Sequence, residues 1–456
     1  MAENTPRWVR VQVSLADIDP WTLLPSLQAD GARLMAWSSP QQHTSFVAVG
    51  AVTEHRPEGT ERFNQASCWW EPIMASLETQ DLAGQTIASS VPACLAGFAF
   101  RDDPNRSDEW AAWGDGALCV PEILVWTTTE GSIAVFTVDT DQHTIASRLP
   151  ILRHQLSEWM AHTPDTTVEA TPSAVLVESK ASDAWEQWRA RVEAAKATIA
   201  LGDLQKVVLA RAQAYQPADA HLFDPLATAL ALRDRQVDST TFLIRRKDGQ
   251  AFLGSSPEIL VRLADQVVNT VALAGTRRRD PASGSKDAAL GAQLLDSEKD
   301  RHEQQLVAIA ITEALAPAVT DLTVADVPEV VCHPDVQHLR TAIQGRLSDD
   351  TSIFDLVDRL HPTPAVGGLP RESALAWLDD NERLDRGWYA GPIGWIGGDG
   401  NGEFVVAIRS VLMAEGHASA FAGCGLVASS NPADEWEESQ VKLQTVRQGL
   451  AAGLDR

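Results

Sequence analysis

Strand-forming runs follow one another in this chain without a helix between them, and that order constrains the fold more than any other feature. In the first third, WVRVQVSL, TSFVAVGAVTEH and EILVWTTTEGSIAVFTV alternate apolar and polar residues, the last broken by a Glu130-Gly131 turn that predicts a hairpin. LAGFAF is a short apolar run and predicts a buried strand, and a helical segment over 141–161 closes this part. Later come DLQKVVLARAQAY, TTFLIRR, AFLGSS and EILVRLADQVVNTVAL, then a helical block at about 287–316 and shorter helices at about 352–360 and 371–380. EFVVAIRSVLM and SAFAGCGLVAS read as two further strands ahead of a last helix over 432–452. Parallel neighbours need a long crossover after each strand. Consecutive strands with clustered helices therefore predict α+β with mostly antiparallel sheet.

The stretch 162–182, HTPDTTVEATPSAVLVESKAS, is rich in Thr, Pro, Ser and Ala and is the best boundary candidate. It separates a strand-rich half, 1–180, from a region, 183–452, that opens on the helix DAWEQWRARVEAAKATIALG. Trp185, Trp188, Val192, Ala195 and Ile199 form one stripe of that helix, and Gly202 is its stop signal.

With a formal net charge of −25, the chain repels nucleic acid and anionic membranes, whose binding relies on Lys and Arg. The five cysteines are odd in number and lack a C-x-x-C pair, which argues against a disulfide framework and a zinc site. The N-terminus lacks an apolar signal region and no run reaches membrane-span length, so a soluble, cytoplasmic protein is expected.

Two helices carry paired carboxylates. In SSNPADEWEESQVKL, Ser429, Ser430 and Asn431 are N-cap types and Pro432 suits the first turn. Glu435, Glu438 and Lys442 then fall at i, i+3 and i+7 on one face. In LLDSEKDRHEQQL, Asp296 or Ser297 caps, and Asp300 and Glu303 share a face. Two such helices have the oxygen ligands to hold Mg²⁺ between them; two solvated helix faces would read the same. Leu306 stands where H-E-x-x-H needs its second His, and no G-x-S-x-G occurs, so zincin and hydrolase readings fall away.

Other charges sit inside strand-like sequence. Lys206 opens KVVLAR and, on a strand, shares a face with Val208 and Ala210. A strand-end lysine in water is the plain reading; inside a pocket, its charged form is disfavoured and it can act as a base. Glu258, after Ser255-Ser256-Pro257, is either a turn acid or, if buried, a general acid. Arg409 in VVAIRSV is a charge within a strand that needs a partner if buried. Gly423 and Gly425 in AGCGLV either let backbone approach an anion or mark a bulge. His338 and His361 fit structural roles as well as functional ones.

Nine motifs occur here in the order found in the chorismate-utilising enzymes: KVVLAR, FLGSSPEILVRL, LAGTRRR, SEKDRHEQQLV, VQHLRTAIQGRL, HPTPAVGGLPRESA, WYAGPIGWI, FVVAIRS and AGCGLVASSNPADEWEESQVKL. The chain resembles that family densely from about 185 to 447, and GFAFRDD upstream is similar to the isochorismate synthases. The resemblance implies one large α+β unit, two strand-rich halves packed as a sandwich with helices outside, and a substrate cleft in the core. It makes 183–452 the chorismate-binding catalytic region. It implies Mg²⁺ ligands at Glu303 and Glu438, with Asp300 and Glu435 on metal-bound water. Asp300 stands where other members often carry Glu. Lys442 is expected near the ring carboxylate, and Tyr389, Arg409, Gly423 and Gly425 around the enolpyruvyl carboxylate. Gly275, Thr276 and His338 match positions lining the ring.

Lys206 is the branch point: water-using members carry Lys there and ammonia-using members typically Gln. The resemblance makes Lys206 the base that activates water for attack at C2, and Glu258 the acid that protonates the departing C4 hydroxyl. It therefore implies an isochorismate synthase of menaquinone or siderophore type, acting on chorismate as a monomer without an obligate amidotransferase subunit. The closest rival is a salicylate synthase, which shares these residues and goes on to eliminate pyruvate. The large subunit of anthranilate or aminodeoxychorismate synthase is disfavoured by Lys206.

Overall fold

The computed structural model describes residues 7–27, 31–87, 89–161, 176–179, 183–218, 222–280, 283–332, 336–414 and 416–454. The Thr- and Pro-rich stretch lies outside these, apart from 176–179. Among the described residues, thirteen strands form one sheet and ten another. Along the larger sheet the order is Leu176–Glu178, Lys206–Pro217, His417–Leu426, Ser410–Ala414, Ala251–Ser256, Thr240–Arg245, Leu34–Ser39, Thr44–Val49, Ile123–Thr128, Gly131–Asp139, Trp8–Leu15 and Leu77–Gln80. The two-residue strand Gly368–Leu369 pairs beside Lys206. Among the described residues the pairings are antiparallel, except Trp8–Leu15 with Leu77–Gln80. The α+β architecture matches the expectation.

Period-2 alternation explains why both faces of the larger sheet are buried. In Leu34–Ser39, Leu34 and Ala36 join an outer core with Leu152, Leu232 and Leu450 from helices Ile145–Ala161, Pro225–Arg235 and Pro432–Leu454. Met35 and Trp37 point the other way, into the core shared with the smaller sheet through Leu95, Phe98 and Phe404. The boundary near 180 does not separate the two sheets. Leu34–Ser39 pairs with Thr240–Arg245, and Pro92–Phe98 pairs with Pro392–Gly397.

Two expected elements are divided. The block at 287–316 is two helices, Gly284–Asp296 and Glu298–Leu315, broken at Ser297, whose Oγ accepts from the Asp300 N–H at 3.2 Å. EFVVAIRSVLM is two strands in different sheets: Gly402–Val406 pairs with Ile259–Ala264 in the smaller sheet, and Ser410–Ala414 with Ala251–Ser256 in the larger. Both chains of this ladder pass from one sheet to the other at the same corner, one through Pro257-Glu258 and the other through Ala407-Ile408-Arg409. Arg409 is therefore not a strand residue. It holds a left-handed φ of 51° at the crossing.

The candidate active site

The corner and the N-terminal turns of helices Glu298–Leu315 and Pro432–Leu454 close around a cavity of about 210 Å³. It brings together Lys206, Glu258, Gly275, Asp300, Glu303, His338, Tyr389, Arg409, Gly423, Gly425, Glu435, Glu438 and Lys442. Thr276 follows Gly275 on the same strand, opposite His338; its side chain lies outside the described residues.

Strand Lys206–Pro217 turns Lys206 and Val208 into the cavity, while on its other face Arg211 lies 4.2 Å over the Trp436 ring. Lys206 is only 6% exposed, and its Nζ donates to Glu303 Oε1 at 2.7 Å. Lys442 Nζ donates to Glu438 Oε1 at 2.8 Å and to the Gly423 carbonyl at 2.8 Å. Each helix thus presents a carboxylate bonded to a lysine Nζ. Lys442 keeps Glu438 below the usual carboxylate range against the opposing effect of burial. Burial is the largest single effect on Lys442 and opposes its charge, but the charge and hydrogen bond of Glu438 together with Cys424 hold the ammonium above its ordinary range. Acids in the first turns of both helices also meet the positive end of the helix dipole.

Glu258 lies buried at the corner, its carbonyl accepting from the Val406 N–H at 3.0 Å. Desolvation pushes its carboxyl up to about 7, although a 3.4 Å hydrogen bond from Thr363 Oγ1 and the charges of Lys206 and Lys442 pull the other way. The proton is retained to near neutrality. Burial pushes Tyr389 up to about 12, so its phenol stays a donor; it stacks on Phe421 at 5.2 Å.

The register between Lys206–Pro217 and His417–Leu426 runs unbroken past Gly423 and Gly425, so neither marks a bulge. Both are there for space. A Cβ on Gly425 would lie 2.7 Å from Lys206 Cε, and one on Gly423 3.2 Å from the Tyr389 hydroxyl. Gly425→Ala is expected to displace the Lys206 amine rather than the backbone, lowering kcat about 100-fold with the melting temperature nearly unchanged. Wild-type kcat in the folded variant would refute this. Gly275, at φ 70°, faces Asp300 and gives its carbonyl to His338 Nδ1 at 3.2 Å. His361 is structural: fully buried, it reaches the Phe100 carbonyl at 2.8 Å.

A divalent metal fits the donor set. Glu303 and Glu438 face one cavity from two helices, and carboxylate oxygens suit Mg²⁺. Among the described residues, ligand atoms of Glu435, Glu438 and Cys424 lie within 4.8 Å of one another. The thiol is a poor member of this group, because burial pushes it well up and its Sγ contacts the Glu435 carbonyl. Sequence reasoning missed Thr363, Glu382 and Arg386; the Glu-x-x-x-Arg spacing at 382–386 was the available signal.

The chorismate binding enzyme family matches residues 1–451. A salicylate biosynthesis isochorismate synthase of Pseudomonas aeruginosa is 35% identical over 100% of this chain and 93% of its own. Isochorismate synthase MenF of Bacillus subtilis is 33% identical over 91% of this chain and 87% of its own. Among solved structures, MenF, the menaquinone-specific isochorismate synthase from Escherichia coli, superposes with TM-score 0.77 at 26% identity, covering 98% of this chain and 95% of that one. Anthranilate synthase component I from Streptococcus pneumoniae, at 19% identity and TM-score 0.68, shares the fold.

Proposed function

The chain belongs to the chorismate-binding enzyme family, and from that premise we propose that it is an isochorismate synthase, converting chorismate to isochorismate. The observation that carries this reading is the pairing of a lysine and a retained carboxylic acid in one cavity: Lys206, 6% exposed, and Glu258, pushed up to about 7. The Lys206 amine takes a proton from water as the oxygen bonds to C2. The ring double bonds shift and the C4–O bond breaks as Glu258 protonates the departing hydroxyl. One water is consumed and one released. Tyr389 and Arg409 bind the enolpyruvyl carboxylate. Glu303 and Glu438 would hold Mg²⁺, with Asp300 and Glu435 on its water, and the bound ion would neutralise the ring carboxylate and draw charge toward it.

The test is chromatography of purified protein with chorismate and Mg²⁺ and no ammonia source. Isochorismate is expected to accumulate. Salicylate with equimolar pyruvate would make the protein a salicylate synthase, and turnover only with ammonia would overturn the role of Lys206. Chelation is expected to stop the reaction. Glu435→Gln is expected to raise the Mg²⁺ concentration for half-maximal rate about 10- to 100-fold; an unchanged Mg²⁺ titration would remove Glu435 from the metal's surroundings.

This reading has the enzyme act without an amidotransferase, as a monomer, in the cytoplasm. Five free cysteines support the reducing compartment. Among the described residues no helix is long and apolar enough to cross a membrane. Sedimentation at working concentration, with and without chorismate, tests the monomer.

A further inference from the structure

The strand that carries Lys206 is completed on one edge by an ion pair. On the other edge it pairs continuously with His417–Leu426. On this edge Lys206 and Val207 face Gly368–Leu369, Val208 N–H bonds the Gly367 carbonyl at 2.9 Å, and Tyr215–Pro217 face Leu176–Glu178. Between those partners the backbone bonds side chains. Arg386 donates to the Val208 carbonyl at 2.6 Å, and Glu382 accepts from the Ala210 N–H at 2.7 Å.

The two side chains are joined by a bidentate pair, Nε to Oε1 at 2.6 Å and a terminal nitrogen to Oε2 at 2.7 Å. Both are almost wholly buried, at 3% and 2% exposure. Arg386 also donates to the Val366 carbonyl at 2.8 Å and lies 4.1 Å over the Phe100 ring. Val366 belongs to the 361–367 loop, which carries Thr363, the hydroxyl donor to Glu258. The same guanidinium therefore grips the Lys206 strand and the Glu258 loop.

We propose that Glu382 and Arg386 form a positioning clamp that fixes the spacing between Lys206 and Glu258, an inference that rests on the roles given to those two residues above. A buried ion pair adds little net stability, since desolvation of both charges offsets their attraction. Its geometric value is greater: a planar fork with paired bonds allows one orientation, which a lysine cannot reproduce. Burial of this pair between two catalytic segments is explained by that geometry.

The test compares Arg386→Lys and Glu382→Gln with wild type in kinetics and in hydrogen exchange. The clamp predicts a kcat about 10- to 100-fold lower with the chorismate KM within about threefold, and a displaced alkaline limb of the pH–rate profile. Exchange at Val208–Arg211 is expected to rise selectively. Should Glu382→Gln fail to fold, Arg386→Lys combined with Thr363→Val supplies a double-mutant cycle, in which a shared loop predicts less than additive loss. A folded Arg386→Lys with wild-type kcat and pH limb, or an additive cycle, would overturn the clamp. If wild type does not convert chorismate, the proposed function falls. The exchange arm still decides the clamp independently: no rise at Val208–Arg211 overturns it.

Discussion

Lys206→Ala is expected to lower kcat for isochorismate formation about 10²- to 10⁴-fold, the range for removing a positioned general base, with the chorismate KM little changed. The amine sits in the cavity wall at 6% exposure and donates to Glu303. That contact raises a second account, in which Lys206 matters only as counter-charge to Glu303. Lys206→Arg separates the two. Arginine keeps the charge and can bond Glu303, but it does not deprotonate at working pH. Turnover lost in both variants supports the base; turnover restored by Arg assigns Lys206 to the ion pair. Steady-state kinetics with product chromatography decides between them.

Glu258→Gln is expected to reduce kcat by a similar factor of about 10²–10⁴, because an amide cannot give up the proton that the leaving hydroxyl needs. Its pH dependence is more diagnostic. Burial pushes the carboxyl up to about 7, so the acid form persists to neutrality. In kcat/KM, wild-type activity from this group is full below about pH 7 and falls as pH rises through it; the limb vanishes in the variant. Stability falls in the same direction, over a lower pH range. A folded-state value above the ordinary 4.5 means the unfolded chain releases its proton first, so the native state loses stability as pH rises from 4.5 to about 7. The loss is worth at most about 3.5 kcal/mol. Glu258→Gln is therefore expected to melt higher than wild type at pH 8, and without that gain at pH 4. A wild-type melting curve at pH 8 together with a retained alkaline limb would refute the burial of Glu258 as the cause of its retained proton.

Local features were legible from the residues. The cap on the last helix is where SSNPADEWEES put it: Asn431 Oδ1 accepts from the Ala433 N–H at 2.9 Å, ahead of a helix starting at Pro432. The i, i+3, i+7 spacing brought Glu435, Glu438 and Lys442 to one cavity because helix geometry is local. Lys206 and Val208 share a face because strand geometry is local too. What these side chains touch was not legible. Lys206 meets Glu303 from 97 positions away, and Arg386 bonds Val208 from 178.

The sequence by itself determined the α+β class, the turns, the helix caps and the order of the motifs, since each depends on the preferences of a few neighbouring residues. Tertiary structure alone decided which sheet each strand joins. EFVVAIRSVLM keeps strand-like composition across the corner, and the crossing is marked by a single left-handed residue, Arg409, of a type that gives no warning of it. Because Glu258 and Arg409 occupy that corner, their place in the cavity follows from the passage of the ladder between sheets. Period-2 alternation reports which residues face a core, but it is the same on either side of such a corner and cannot say which core.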